Sequence, residues 1–147
     1  MTIRTDSLQA TYDFAQIFVS RLRPHSDQAT ILTLHGDLGS GKTSFTQGVA
    51  KALGVTDVVT SPTFVIEKIY QIAGVTMWKH LIHIDAYRLA SGKELTSLGF
   101  DDILRDPGNL IILEWPERVS DILPNKVVKL EFKFIDEQIR EIKYEEN

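Results

Sequence analysis

The chain has 147 residues, a formal charge of −4 from 16 basic and 20 acidic side chains, and no cysteine. Its length suits one domain with a sizeable core, and 43% hydrophobic with 24% charged residues is ordinary globular usage, not that of a disordered chain or a coiled coil. The absence of cysteine excludes a disulfide scaffold, a zinc–thiolate centre and a thiol nucleophile, and the acidic balance argues against a broad surface for a phosphate backbone.

Met1 to Asp6 carries no charged-then-apolar leader pattern, and no apolar run approaches the ~20 residues that span a bilayer. The expectation is a soluble cytoplasmic protein, away from membranes, with residues 1–147 in a single domain. Ser7 is placed to cap a helix in which Leu8, Tyr12, Ala15, Phe18, Val19 and Leu22 recur at three- and four-residue steps until Pro24. Ile31 to Leu34 is a short β-type run entering the glycine-rich stretch Gly36 to Gly41. Lys42 to Leu53 reads as a helix with Phe45, Val49, Ala50 and Leu53 on one face and Gly54 just past its end. Phe64 to Ile72 alternates like a strand, Gly74 marks a turn, and Met77 to Ile84 is a second strand.

Glu94 to Leu104 suggests two short helical turns around Gly99. Leu110 to Leu113 is a continuous apolar run, as in parallel strands buried on both faces, and Pro116 to Ile122 is a short helix opened by its proline. The alternation of Val128, Leu130, Phe132 and Phe134, followed by Ile139 and Ile142, gives a terminal hairpin turning at Asp136 to Gln138. Strands alternating with helices predict an α/β fold of the P-loop NTPase kind. Its sheet is mainly parallel, flanked by helices and finished by the antiparallel C-terminal hairpin.

Gly36-Asp37-Leu38-Gly39-Ser40-Gly41-Lys42-Thr43 fits G-x-x-x-x-G-K-[ST] in full, with a strand entering and a helix leaving. Glycines let the backbone wrap phosphate oxygens and turn N–H groups inward, and the helix aims its positive end at the same anion. Lys42 can reach the β- and γ-phosphates, and the Thr43 hydroxyl can hold a bridging Mg²⁺. Such a site also needs carboxylates at strand ends, and Asp85 and Glu114 each follow an apolar run. One can coordinate Mg²⁺, directly or through water, while the other orients the attacking water; capping of the next helix fits either acid as well.

Thr60 to Thr63 can close over the γ-phosphate as a switch or simply turn at Ser61-Pro62. Arg88 suits either phosphate charge or a surface ion pair, and Trp115 reads as packing on motif evidence. His80, His83 and Asp85 make a poor metal triad, because the two imidazoles point to opposite faces of a strand. A GTPase would need N-K-x-D, but Asn125-Lys126 is followed by Val128 where the aspartate should stand. A small-molecule kinase needs an acceptor pocket and a lid, for which little length remains. It stays the second reading, with a metabolite acceptor near Arg88, and a nucleotide-binding adaptor without hydrolysis is the third.

The ordered set Gly36 to Thr43, Ser61-Pro62-Thr63-Phe64, His83-Ile84-Asp85-Ala86-Tyr87-Arg88-Leu89 and Glu114-Trp115-Pro116-Glu117 resembles the bacterial TsaE (YjeE)-type ATPases of tRNA threonylcarbamoyladenosine biosynthesis. The resemblance runs from about Ser7 to Arg140. It implies an Mg²⁺-dependent ATPase of low intrinsic turnover. In that family the ATPase serves the transferase complex, of TsaB and TsaD type subunits, that installs threonylcarbamoyl on adenosine 37 of tRNAs reading A-starting codons, with tRNA engaged indirectly. By position it implies catalytic Lys42, Asp85 and Glu114, and metal ligands Thr43, Asp85 and Glu114. The implied nucleotide contacts are Gly36, Asp37, Leu38, Gly39, Ser40, Gly41, Lys42, Thr43 and Ser44, with the switch Thr63 and Trp115. Thr11 and Arg140 would flank the nucleotide. Ser44 stands where the family commonly has a second threonine, and Ala86 where it commonly has leucine.

Overall fold

The computed structural model describes residues 1–60, 66–74 and 76–146. The elements, in chain order, are β1 (Thr2–Thr5), α1 (Leu8–Arg21), β2 (Thr30–His35), α2 (Lys42–Ala52), β3 (Glu67–Gln71), β4 (His80–Asp85), α3 (Gly92–Ser97), α4 (Phe100–Arg105), β5 (Asn109–Glu114), a 3₁₀ segment (Pro116–Ile122), β6 (Val128–Phe134) and β7 (Arg140–Glu146). The strands form one seven-stranded sheet in the order β1-β7-β6-β2-β5-β4-β3.

The middle of the sheet is parallel: β6, β2, β5 and β4 run the same way. All six residues of β5 are buried, which explains why its sequence shows no polar alternation. The terminal hairpin closes one side, and β1 pairs antiparallel with β7 beyond it. At the other side β3 runs antiparallel to β4, so the sheet has antiparallel margins on both sides rather than one. Among the described residues β3 runs Glu67–Gln71, and Ile66 before it has a left-handed φ of 66°. Residues 61–65, including Phe64, where the alternation places the start of this strand, lie outside the described residues.

The two faces of the sheet bury separate cores. On one face α1 and α2 cover Leu32, Leu34, Leu81, Leu110, Ile112 and Leu130. On the other, α3, α4 and the 3₁₀ segment cover Ile31, Ile82, Ile84, Ile111 and Leu113. Ser7 caps α1, its hydroxyl accepting from the Ala10 N–H at 3.0 Å. Where α1 crosses α2, a β-carbon added at Gly48 would come within 2.7 Å of the Ala15 Cβ, so only glycine admits this approach. Phe45 is fully buried and packs edge-on against Phe18 and Phe132, with ring centroids 5.8 and 5.5 Å away. These contacts clamp α2, and with it the loop at its start, onto β6.

Glu67 breaks the pattern of a margin strand. Burial pushes its carboxyl above the ordinary value of 4.5, and its Oε1 is buried without a hydrogen-bond partner among the described residues. A raised folded value means that the unfolded chain gives up this proton first. The stability it contributes is therefore present below pH 4.5 and lost as pH rises through the folded value. Glu67→Gln should raise the melting temperature at pH 7, with the gain vanishing near pH 4. Thermal unfolding at the two pH values checks this, and an equal effect at both would refute it.

Candidate nucleotide-binding site

The parallel strands β2, β4 and β5 end at the same sheet edge. At that edge β2 runs into the glycine-rich loop, and Asp85 stands directly opposite Glu114 in the β4–β5 register. Alternation then puts both carboxylates on the face that carries α2. Both are nearly buried, at 6% and 4% exposure. The Tyr87 N–H donates to Asp85 Oδ1 at 3.0 Å, while His83 Nε2 lies 2.6 Å from Glu114 Oε2.

The loop needs its glycines. Gly36, Gly39 and Gly41 have φ of 144°, 78° and 110°. At Gly36 a β-carbon would also meet the Phe132 carbonyl oxygen at 2.5 Å, so the loop passes too close to β6 for any side chain there. Gly41 caps α2 without a side-chain hydrogen bond, so the first-turn N–H groups have no side-chain cap competing for them. Lys42 is 5% exposed; its ammonium donates to the Gly36 carbonyl at 2.5 Å and lies 4.6 Å from the centre of the Trp115 ring.

Trp115 reaches that position at a cost. It has φ 57° and ψ 50°, a left-handed conformation that costs about 1–3 kcal/mol for a side chain of this kind. The bend immediately after Glu114 folds the indole back over Lys42, and Tyr87 packs on it with centroids 5.1 Å apart. Arg118 in turn lies 5.6 Å over the Tyr87 ring. His35, just before the loop, is pushed below its ordinary value, first by burial and then by Lys129, and its ring approaches Glu117 at 3.8 Å.

Lys42, Asp85, Glu114, Trp115 and Tyr87 open onto a cavity of about 840 Å³, within the range of small-molecule and cofactor sites. Of the residues singled out in the sequence, Thr11, Leu38, Gly39, Gly41, Lys42, Thr43, Ser44, Asp85, Glu114, Trp115 and Arg140 line it. Gly36, Asp37 and Ser40 belong to the loop but are not in that lining, and Thr63 lies outside the described residues. The structure adds Asp6, Ser7, Leu8, Tyr87, Glu137 and Gln138. The N–H groups of Gln138 and Ile139 both reach Asp136 Oδ1 at 2.8 Å, holding its carboxyl below the ordinary range and fixing the turn that presents Glu137 and Gln138. Arg140 ties this turn to the loop: its Nε donates to the Gly39 carbonyl at 3.1 Å and its Nη1 to the Asp136 carbonyl.

His80 and His83 do turn to opposite sides, His80 to Asn109 and His83 to Glu114. No group of three or more His, Cys, Asp or Glu side chains among the described residues is placed to hold a metal by itself. The chemistry of the donor set nevertheless fits a nucleotide with its cation. Helix N–H groups and an ammonium can take phosphates, while a hydroxyl and two strand-end carboxylates supply the hard oxygens that Mg²⁺ prefers. Among the described residues, no helix is long and apolar enough to cross a membrane.

Comparison with known proteins agrees with this architecture. A family model described as threonylcarbamoyl adenosine biosynthesis protein TsaE matches residues 5–142. The chain is similar to the tRNA threonylcarbamoyladenosine biosynthesis protein TsaE of Rickettsia typhi, at 34% identity over 92% of this chain and 88% of that protein. Its similarity to the protein of the same name from Bacillus subtilis is 33% identity over 96% of this chain and 82% of the relative. The crystal structure of Bacillus subtilis YdiB superposes with a TM-score of 0.77 at 32% identity, covering 98% of this chain and 83% of that one. By sequence along nearly its whole length and by fold, the chain belongs to the TsaE family.

Proposed function

We propose that this protein is an Mg²⁺-dependent ATPase of low intrinsic turnover, working as a single domain in the cytoplasm in the biosynthesis of tRNA threonylcarbamoyladenosine. It would act on the transferase complex, of TsaB and TsaD type subunits, that modifies adenosine 37 in tRNAs reading A-starting codons, and would not itself be the group-transfer catalyst. The observation that carries this reading is the convergence of Lys42, Asp85 and Glu114 on one cavity at the start of α2. The relatives' printed names supply the pathway.

In this reading the loop N–H groups and the Lys42 ammonium bind the β- and γ-phosphates, and the Thr43 hydroxyl with a strand-end carboxylate holds Mg²⁺. Mg²⁺ held there would supply neutralisation of the phosphate charge. Asp85 and Glu114 divide the remaining work, one fixing the cation and the other orienting the attacking water. Catalysis is then mostly positioning and electrostatics. Thr11 and Arg140, with Trp115 across from them, enclose the rest of the nucleotide, and Thr63 is the proposed switch threonine. Slow turnover follows if the partner completes the site, since an arginine supplied in trans is worth about 10³–10⁵ elsewhere. An acidic chain suits a protein partner better than direct contact with tRNA.

The test is capture of purified transferase subunits on the immobilised protein, with and without Mg-ATP. Retention that requires nucleotide supports the proposal. No retention under either condition, or phosphate found on a metabolite instead of as inorganic phosphate, overturns it.

A further inference from the structure

We propose that His83 is a positioning residue for hydrolysis, holding the Glu114 carboxylate in the orientation it needs through a hydrogen bond from its Nε2–H to Oε2. This rests on Glu114 acting on ATP as proposed above.

His83 is fully buried, and its register partner across β4–β5 is Ile112. Alternation puts it on the same face as Asp85 and Glu114 but one pleat deeper, so the imidazole stands behind the two acids. The cavity lining accordingly includes Asp85 and Glu114 but, among the described residues, not His83. An ionised carboxylate can only accept, so the hydrogen in the 2.6 Å contact belongs to Nε2. The other ring nitrogen, Nδ1, is buried without a hydrogen-bond partner among the described residues.

That asymmetry distinguishes the role from packing. Leu81, two residues earlier on the same face, is apolar and fully buried; a similar side chain at 83 would spare the unpartnered Nδ1 but leave the nearly buried Glu114 Oε2 without its partner. The imidazole makes sense there for the one bond it donates. Terminal carboxyl torsions are broad and roughly two-fold, so an unrestrained Glu114 would sample several orientations at the cavity wall. A short, charge-assisted bond from a buried ring removes that freedom, keeping Oε2 and leaving Oε1 for the reacting groups. Outer residues that orient a ligand or base in this way typically contribute about 10–100-fold in affinity or activity.

The experiment compares wild type, His83→Leu, His83→Gln and Glu114→Gln. In the nucleotide-free protein, proton NMR should show an exchange-protected downfield imidazole N–H that shifts in Glu114→Gln and vanishes in both His83 variants. His83→Leu should lose about 10–100-fold in kcat while its Kd for a non-hydrolysable ATP analogue changes less than about threefold. His83→Gln, whose amide N–H₂ reaches about as far as Nε2, should recover most of that kcat; if the leucine variant fails to fold, the glutamine variant against wild type carries the comparison. An N–H indifferent to Glu114→Gln, unchanged turnover in His83→Leu, or glutamine no better than leucine overturns the proposal. Wild type that shows no ATP turnover, with or without partner, sinks the ATPase reading instead, and the NMR arm still decides whether the pair exists.

Discussion

Lys42→Ala is expected to lose about 10²–10³-fold in ATP turnover, the loss typical when one preorganised donor to a developing charge is removed. Lys42 is a cation at the start of the helix that leaves the loop, and its surroundings anticipate an anion: the residue is 5% exposed, lines the cavity, and its ammonium donates to a backbone carbonyl. A buried cation with so modest a partner is an electrostatic cost in the empty protein. The same substitution should therefore leave the melting temperature of the nucleotide-free protein unchanged or slightly higher, despite the lost contact with Trp115. Its effect on stability appears only with ligand. Mg-ATP at a hundred times its Kd stabilises a binding protein by about 2.7 kcal/mol, and most of that increment should disappear. Thermal scans with and without Mg-ATP, alongside phosphate release, separate the two effects. Wild-type turnover in Lys42→Ala would remove the loop from the mechanism.

The parts of the site that could be read from the sequence are those built from consecutive residues. The loop, the strand before it and the helix after it form one continuous stretch, and Asp85 and Glu114 each end a recognisable apolar run. The rest depended on which strands lie side by side. β1 has four residues and no strong alternation, and it is held in the sheet by pairing with β7, Thr2 opposite Lys143. That pairing carries Asp6, Ser7 and Leu8 toward Glu137 and Gln138, so one end of the cavity is assembled from the two ends of the chain. Nothing local in either segment signals the other. The antiparallel pairing of β3 with β4 is different, because the turn marked by Gly74 between two successive strands is local in the sequence.

His83 shows the same boundary in a single residue. Alternation correctly separates it from His80 and so argues against a metal triad, but alternation within one strand says nothing about the neighbour. Only the register, with His83 opposite Ile112, brings the ring to Glu114 two residues further along β5. Trp115 is the converse case. Its sequence context reads as packing, and the indole does pack on Tyr87, but the left-handed backbone at 115 also brings it over Lys42. A strained conformation for a bulky residue next to a proposed catalytic acid is the kind of deviation that function, not folding, accounts for.

Glu114→Gln is expected to separate binding from turnover more cleanly than any other single change. The amide has the shape of the carboxylate and its oxygen can still accept from His83 Nε2, so the β4–β5 contact and the fold should persist. The negative charge is lost, and with it the ability to fix Mg²⁺ or to draw a proton from attacking water. Groups that position or take up a proton in the transition state are worth about 10²–10⁴-fold, and a loss in that range is expected in phosphate release. Nucleotide affinity should stay close to wild type, because the loop N–H groups and Lys42, which would carry most of the phosphate binding, are untouched. The comparison to make is kcat against the Kd for Mg-ATP, with the Mg²⁺ concentration dependence followed in parallel. A fall in turnover that excess Mg²⁺ restores would assign Glu114 to the cation, and one that it does not restore would assign it to the water. Turnover that survives the substitution intact would leave Asp85 as the working acid and reduce Glu114 to a structural partner of His83.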